Sequence, residues 1–161
     1  MNRLICSAAF ALMLMPAMGS AQDFDVGWAA AQAGDFATAL REWSPLAEQG
    51  NVQAQTLLGT MYLEGRGVPQ DHAEALKWYR LAAEQGDMNA QFNLGGVYYN
   101  GRGVPQDYAE AHMWFNIAAA NGYKDGATNR DIVAKLMTPV DISEAQRRAK
   151  VCMASGYQDC D

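Results

Sequence analysis

NVQAQTLLGTMYLEGRGVPQDHAEALKWYRLAAEQG, residues 51–86, runs directly into DMNAQFNLGGVYYNGRGVPQDYAEAHMWFNIAAANG, residues 87–122. The two stretches align without a gap, and 19 of their 36 positions are identical. An internal period of this size is the signature of a repeat array, in which each unit buries its apolar face against its neighbours. The register extends backwards, since Asp35 to Gly50 lies one period ahead of Asp71 to Gly86. A helix from about Asp25 to Ala33 completes that first unit, with a shorter connection at Gly34-Asp35. After Gly122 the pattern degrades but persists, with one helix expected over Ala127 to Met137 and another over Pro139 to Ser155.

Each unit reads as two antiparallel helices. In the second, Ala90, Phe92, Leu94, Gly95, Val97, Tyr98 and Tyr99 recur with helical spacing. Gly101 offers a left-handed terminator, and Pro105 forbids continuation through the turn. Asp107 is placed to cap the next helix, with Glu110 completing a capping box; Asp71 and Glu74 repeat the device. Gly59 and Gly95 sit mid-helix, where Gly costs roughly 1 kcal/mol against Ala. That cost suggests close approach of a partner helix, and Ala75 and Ala111 are expected to supply the opposing small surface. Trp78 and Trp114 are expected to wedge between successive units.

The chain resembles the Sel1-like repeat family, a relative of the tetratricopeptide repeats. The resemblance rests on Ala-Gln-x-x-Leu-Gly-x-x-Tyr at 54–62 and 90–98 and on Gly-Arg-Gly-Val-Pro-Gln-Asp at 65–71 and 101–107. Ala-Glu-Ala, then Trp, then Ala-Ala and a terminal Gly finish each unit. It implies an all-α, right-handed α-solenoid of antiparallel helix pairs spanning 22–161. A tetratricopeptide-like unit occupies 23–50, two repeats occupy 51–86 and 87–122, and a degenerate capping unit occupies 123–161.

The resemblance also implies that the first helix of each unit lines a concave face used to bind another protein. The groove side of those helices carries Gln53, Thr56, Thr60, Leu63 and Glu64 in one unit, and Asn89, Phe92, Gly96, Tyr99 and Asn100 in the next. The degenerate unit adds Asp125, Thr128, Ile132 and Lys135. Rigid aromatics among amides suit peptide recognition. The alternative for Phe92 and Tyr99 is packing against a neighbouring unit, an even choice for Phe92 alone.

The N-terminus reads as a signal peptide. Arg3 precedes an almost wholly apolar run from Leu4 to Met18, and Gly19-Ser20-Ala21 offers a cleavage site after Ala21. The mature chain is then expected in the periplasm or outside the cell, with no membrane span. Cys152 and Cys160 are the cysteines left after cleavage, an even pair suited to a disulfide near the chain end.

Composition narrows function further. Without Arg3 the chain holds 11 basic and 18 acidic residues, a net −7. Such a surface repels phosphate backbones, so no nucleic-acid partner is expected. The two histidines, His72 and His112, fall in different units without metal-ligand spacing. Surface or half-buried structural roles are expected for both. No serine sits in a nucleophile elbow. We expect no catalytic residue, metal or cofactor. The leading expectation is an adaptor that binds a protein segment. The alternative is a binder, or slow hydrolase, of cell-wall fragments or β-lactams, a role linked to cysteine-rich relatives whose repeats carry cysteine pairs absent from repeats 51–122 here.

Overall fold

The computed structural model describes residues 20–160, and within them the chain is all-helical. The expected signal segment lies outside the described residues up to position 19. Eight helices follow: α1 (Ser20–Gln32), α2 (Phe36–Glu48), α3 (Val52–Glu64), α4 (His72–Ala83), α5 (Met88–Asn100), α6 (Tyr108–Ala120), α7 (Gly126–Ala134) and α8 (Pro139–Ala154). Each helix from α1 to α6 packs on the next, α6 also packs on α7, and α8 returns onto α6. Helix pairs therefore stack in chain order into a solenoid closed by α8.

Local chemistry sets the helix ends. Asp71 and Asp107 each accept two backbone N–H bonds from the first turn of α4 and α6, at 2.9–3.1 Å. Each such cap contributes about 1 kcal/mol. The expected capping boxes form only by half. The backbone N–H of Asp71 donates to the Tyr62 carbonyl (2.9 Å), and that of Asp107 to the Tyr98 carbonyl (3.0 Å). With those donors taken, Glu74 pairs with Lys77 and Glu110 with Arg148 of α8. The Glu110–Arg148 pair is largely shielded and ties the last helix to the array.

The mid-helix glycines do mark close approach, but the partner differs from the expected alanines. A Cβ at Gly59 would stand 2.6 Å from the ring of Tyr79, and one at Gly95 would stand 2.6 Å from the ring of Phe115. Gly27 meets the Trp43 indole in the same way. Ala75 and Ala111 are fully buried, yet it is the flat ring one turn further along the second helix that lies on the glycine. Trp114 is buried in the C-terminal core cluster, and half-buried Trp78 packs on the N-terminal one.

A repeated polar contact fixes the stacking. The buried Gln55 donates to the Ala47 carbonyl of the preceding unit (3.0 Å) and accepts from Gln85 Nε2 (2.8 Å). One period on, Gln91 donates to the Ala83 carbonyl (3.2 Å) and accepts from Asn121 Nδ2 (2.8 Å). A buried amide satisfied on both sides specifies register between units. The turns add a second lock. Gly67 (φ 72°) lies against the backbone of Phe36, so closely that a Cβ would meet it at 2.7 Å. Gly103 (φ 76°) takes the same place against His72.

The chain end is pinned. Cys152, wholly buried, is disulfide-bonded to Cys160. Between them Tyr157 donates its phenol to Asn121 Oδ1 (2.9 Å) and lays its ring over Gly86. The tail thus touches the ends of both Sel1-like units and covers the last turn of the array.

Candidate functional site

A cavity of about 550 Å³ opens along the first helices of three successive units. From α1 come Phe24, Asp25 and Trp28; from α3 come Gln53, Thr56, Leu57 and Thr60. Asp87, which caps α5, and Asn89 and Asn93 within α5 complete the wall. A second hollow of about 240 Å³ shares Trp28, Leu57 and Thr60 with the first and continues to Phe36, Met61 and Arg66. The two form one groove with a polar, acidic end and an apolar end.

The aromatic wall is rigid. Trp43 of α2, 2% exposed, presses on Gly27 and donates its indole N–H to the Phe24 carbonyl (3.2 Å). Phe24 and Trp28 tilt against it with ring centroids at 5.8 and 6.5 Å. Trp28 remains 47% exposed on the groove side of that anchor.

The polar wall is graded. Thr60 donates to the Thr56 carbonyl (3.1 Å), which leaves the Tyr79 phenol to donate to Thr60 Oγ1 (3.0 Å). Burial pushes the Tyr79 phenol up to about 12, so it stays protonated and keeps that bond. Thr56 Oγ1 lies 3.1 Å from Asp87 Oδ1 and bridges two units. Among the described residues, no hydrogen bond or ion pair engages the side chains of Asp25, Gln53, Asn89 or Asn93. Among the described residues, no basic one lines the larger cavity. Arg66, at the apolar end, is held by Glu64 (2.7 Å) and lies over the Phe36 ring.

Of the residues expected on the concave face, Gln53, Thr56, Thr60 and Asn89 come together in this cavity. The others stand elsewhere. Phe92 stacks on Tyr123 (4.2 Å) and tilts against Phe115 (5.2 Å), so it packs on the following unit. Tyr99 is half-buried against Tyr108 (5.9 Å) and its carbonyl accepts from Gln106 (2.7 Å). Leu63 packs on the C-terminal core, and Glu64 is paired with Arg66. Asn100 folds back onto the Gly96 carbonyl (2.7 Å). Asp125, Thr128, Ile132 and Lys135 lie on or beside α7, outside the cavity; Ile132 is 44% exposed.

Sequence reading missed Phe24, Asp25 and Trp28. The signal was present but shifted. The loop between α1 and α2 spans 33–35, whereas that between α3 and α4 spans 65–71. Allowing for those missing residues, Gly27 aligns with Gly59 and Gly95, and Trp28 falls at the place of Thr60.

The histidines give no site. His112 is 1% exposed, more deeply buried than expected, with Nδ1 unpartnered. Burial holds its imidazole below the usual range, the Arg130 cation adds to this, and Asp131 opposes it. Among the described residues no group of three or more His, Cys, Asp or Glu side chains is arranged to hold a metal ion. No described helix is long and apolar enough to cross a membrane.

Stacked helix pairs with a groove on the first helices define an α-solenoid of the repeat-protein class. The Sel1 repeat matches residues 52–87 and 89–123, so the chain carries two Sel1 repeats. A protective antigen of uropathogenic Escherichia coli with an SLR fold is similar in structure, with TM-score 0.81 and 30% identity, over 87% of this chain and 32% of that one. A Sel1 repeat protein from Oxalobacter formigenes matches with TM-score 0.65 and 30% identity, over 70% of this chain and 48% of that one. The chain thus spans less than half the length of either. No curated protein matches it. Sel1-like repeats in general mediate protein–protein interaction.

Proposed function

We propose that this chain is an exported adaptor that holds an extended segment of a partner protein in the groove along α1, α3 and α5. The observation that carries this reading is the cavity of about 550 Å³ built from the first helices of three units and the Asp87 cap. Its amides are unengaged and its aromatics are held in place from behind. Preformed pockets with rigid aromatic anchors and unspent hydrogen-bonding groups bind at low ordering cost. Export is supported by the N-terminal apolar run after Arg3 and by the Cys152–Cys160 disulfide, a bond favoured in oxidising compartments.

The test is photocrosslinking in cells from position 53, in place of the exposed Gln53, with a control probe at Lys77 on α4. A discrete adduct from position 53 alone supports the groove reading and identifies the partner. Equal adducts from both sites, or none from position 53 in cells that hold the folded chain, would refute it.

A further inference from the structure

We infer that the groove selects a partner segment in which a Lys or Arg side chain stands beside an aliphatic one, the cation entering between Asp25, Asp87 and Trp28. This rests on the groove reading above and adds the chemistry of the occupant.

Three observations converge on it. Two carboxylates, Asp25 and Asp87, line the larger cavity, and no basic residue among those described offsets them there. Asp87 already spends Oδ1 on Thr56 and on the α5 cap, which holds the carboxylate fixed with its second oxygen turned from those donors. In the same cavity Trp28 presents a half-exposed indole whose back is held by Trp43. Trp is the strongest aromatic platform for a cation, and carboxylates beside it add to the attraction. The adjoining hollow, reached past Trp28 and Leu57, is walled by Phe36, Trp43 and Met61. Arg66, which also lines the hollow, is paired with Glu64 and lies over the Phe36 ring, so its charge is offset beside a largely apolar wall. A cation at one end and an aliphatic group at the other match this wall, whereas an acidic segment meets two carboxylates of like charge. The net −7 of the chain beyond Arg3 steers the same kind of partner over longer range.

The experiment is NMR titration of the isotopically labelled chain with blocked alanine hexapeptides carrying Lys-Leu, Lys-Ala, Ala-Leu or Glu-Leu at the centre. The Trp28 indole N–H and the backbone amides of Gln53, Asp87 and Asn89 are followed. Lys-Leu is expected to shift all of them and to bind about fivefold more tightly than Ala-Leu, with the preference fading as salt is raised. Glu-Leu is expected to leave them unmoved. The double variant Asp25→Asn, Asp87→Asn should erase the preference for Lys-Leu while keeping the fold, because Asn caps a helix as well as Asp. The variant Glu48→Gln, Asp159→Asn, which removes the same charge elsewhere, should keep the preference.

Equal binding of Lys-Leu and Glu-Leu would overturn the inference and leave the groove reading standing. Absence of any shift at these positions with every peptide would also overturn it, and the crosslink from position 53 then decides the groove reading separately. If spermidine moved the same resonances at lower concentration than Lys-Leu, the pocket would be a small-amine site and the peptide inference would fall.

Discussion

Adjacent glycines on α5 are expected to respond in opposite directions to the same substitution. In Gly95→Ala the new Cβ would lie 2.6 Å from two carbons of the Phe115 ring and 2.9 Å from a third. Comfortable carbon–carbon contact is about 3.5–4.0 Å, so the ring must retreat by about 1 Å. Phe115 is 3% exposed and Phe92 stands against it, so retreat disturbs the core. Overpacking of this kind costs roughly 1–3 kcal/mol. Helix propensity returns roughly 1 kcal/mol when Ala replaces Gly. The steric term wins, and we expect a net loss of about 1 kcal/mol. At Gly96 nothing lies within 4 Å of the added Cβ. There propensity acts alone, and Gly96→Ala should gain up to about 1 kcal/mol.

The assay is denaturant unfolding of the oxidised chain, comparing midpoints at a common slope, with thermal melting as a check. A difference of about 2 kcal/mol between the two variants corresponds to several degrees in Tm for a chain of this size. A Gly95→Ala protein as stable as Gly96→Ala would refute the claim that ring contact explains the glycine. A double-mutant cycle sharpens the point. Phe115→Leu removes the ring, so Gly95→Ala should be less harmful, or favourable, in that background.

Lowering the pH should destabilise the fold through His112. Its folded-state pKa lies below the unfolded value of about 6.5, so the unfolded chain takes up the proton first. Stability is then full above that value and falls as pH drops below it. Tm measured from pH 7 to 5 should show a slope that His112→Leu flattens; an unchanged slope would sink the assignment. Opening the Cys152–Cys160 bridge by Cys160→Ser should cost about 2.5 kcal/mol from loop closure and expose Trp114 beneath the tail, read by denaturant midpoint and fluorescence. No change in midpoint would mean the tail does not cap the array. Gln91→Ala should cost about 2 kcal/mol or more, because the Ala83 carbonyl and the Asn121 amide lose a shared buried partner. Asn121→Ala should cost less, since Asn121 is only partly buried, and equal losses would argue against the register role.

The fold was legible because its determinants are local and repeated. The Gly-Arg-Gly-Val-Pro-Gln-Asp turn encodes a terminator, a breaker and a cap in adjacent positions, and each acts within a few residues. The half-formed capping boxes were not legible. Whether Glu110 turns back to its own helix depends on Arg148, which only the return of α8 brings near. Burial of His112 was hidden for a similar reason, as its cover comes from a unit whose repeat pattern is degraded. The candidate site was legible in part. Gln53, Thr56, Thr60 and Asn89 follow from which helix was expected to line the concave face. Phe24, Asp25 and Trp28 were obscured by a shortened loop, which displaces α1 from the register that the other units keep.

One repeat position explains why the groove lies where it does. Thr56 and Phe92 are equivalent, and so are the residues they meet across the unit boundary, Asp87 and Tyr123. In the first pair a hydroxyl bonds a carboxylate and leaves the space beside it to water or a ligand. In the second pair two rings stack at 4.2 Å and fill their own space. The same backbone therefore yields an open polar boundary at one step and a closed aromatic one at the next. The closed step joins the C-terminal core that Glu110–Arg148 and Tyr157 also reinforce. The open step is flanked by α1, whose indole and carboxylate have no counterpart in the later units. Among the described residues, reinforcing contacts thus gather at the end that α8 and the tail cover, and unspent polar groups at the open step. That is the division expected of an array whose groove must remain available to a second chain.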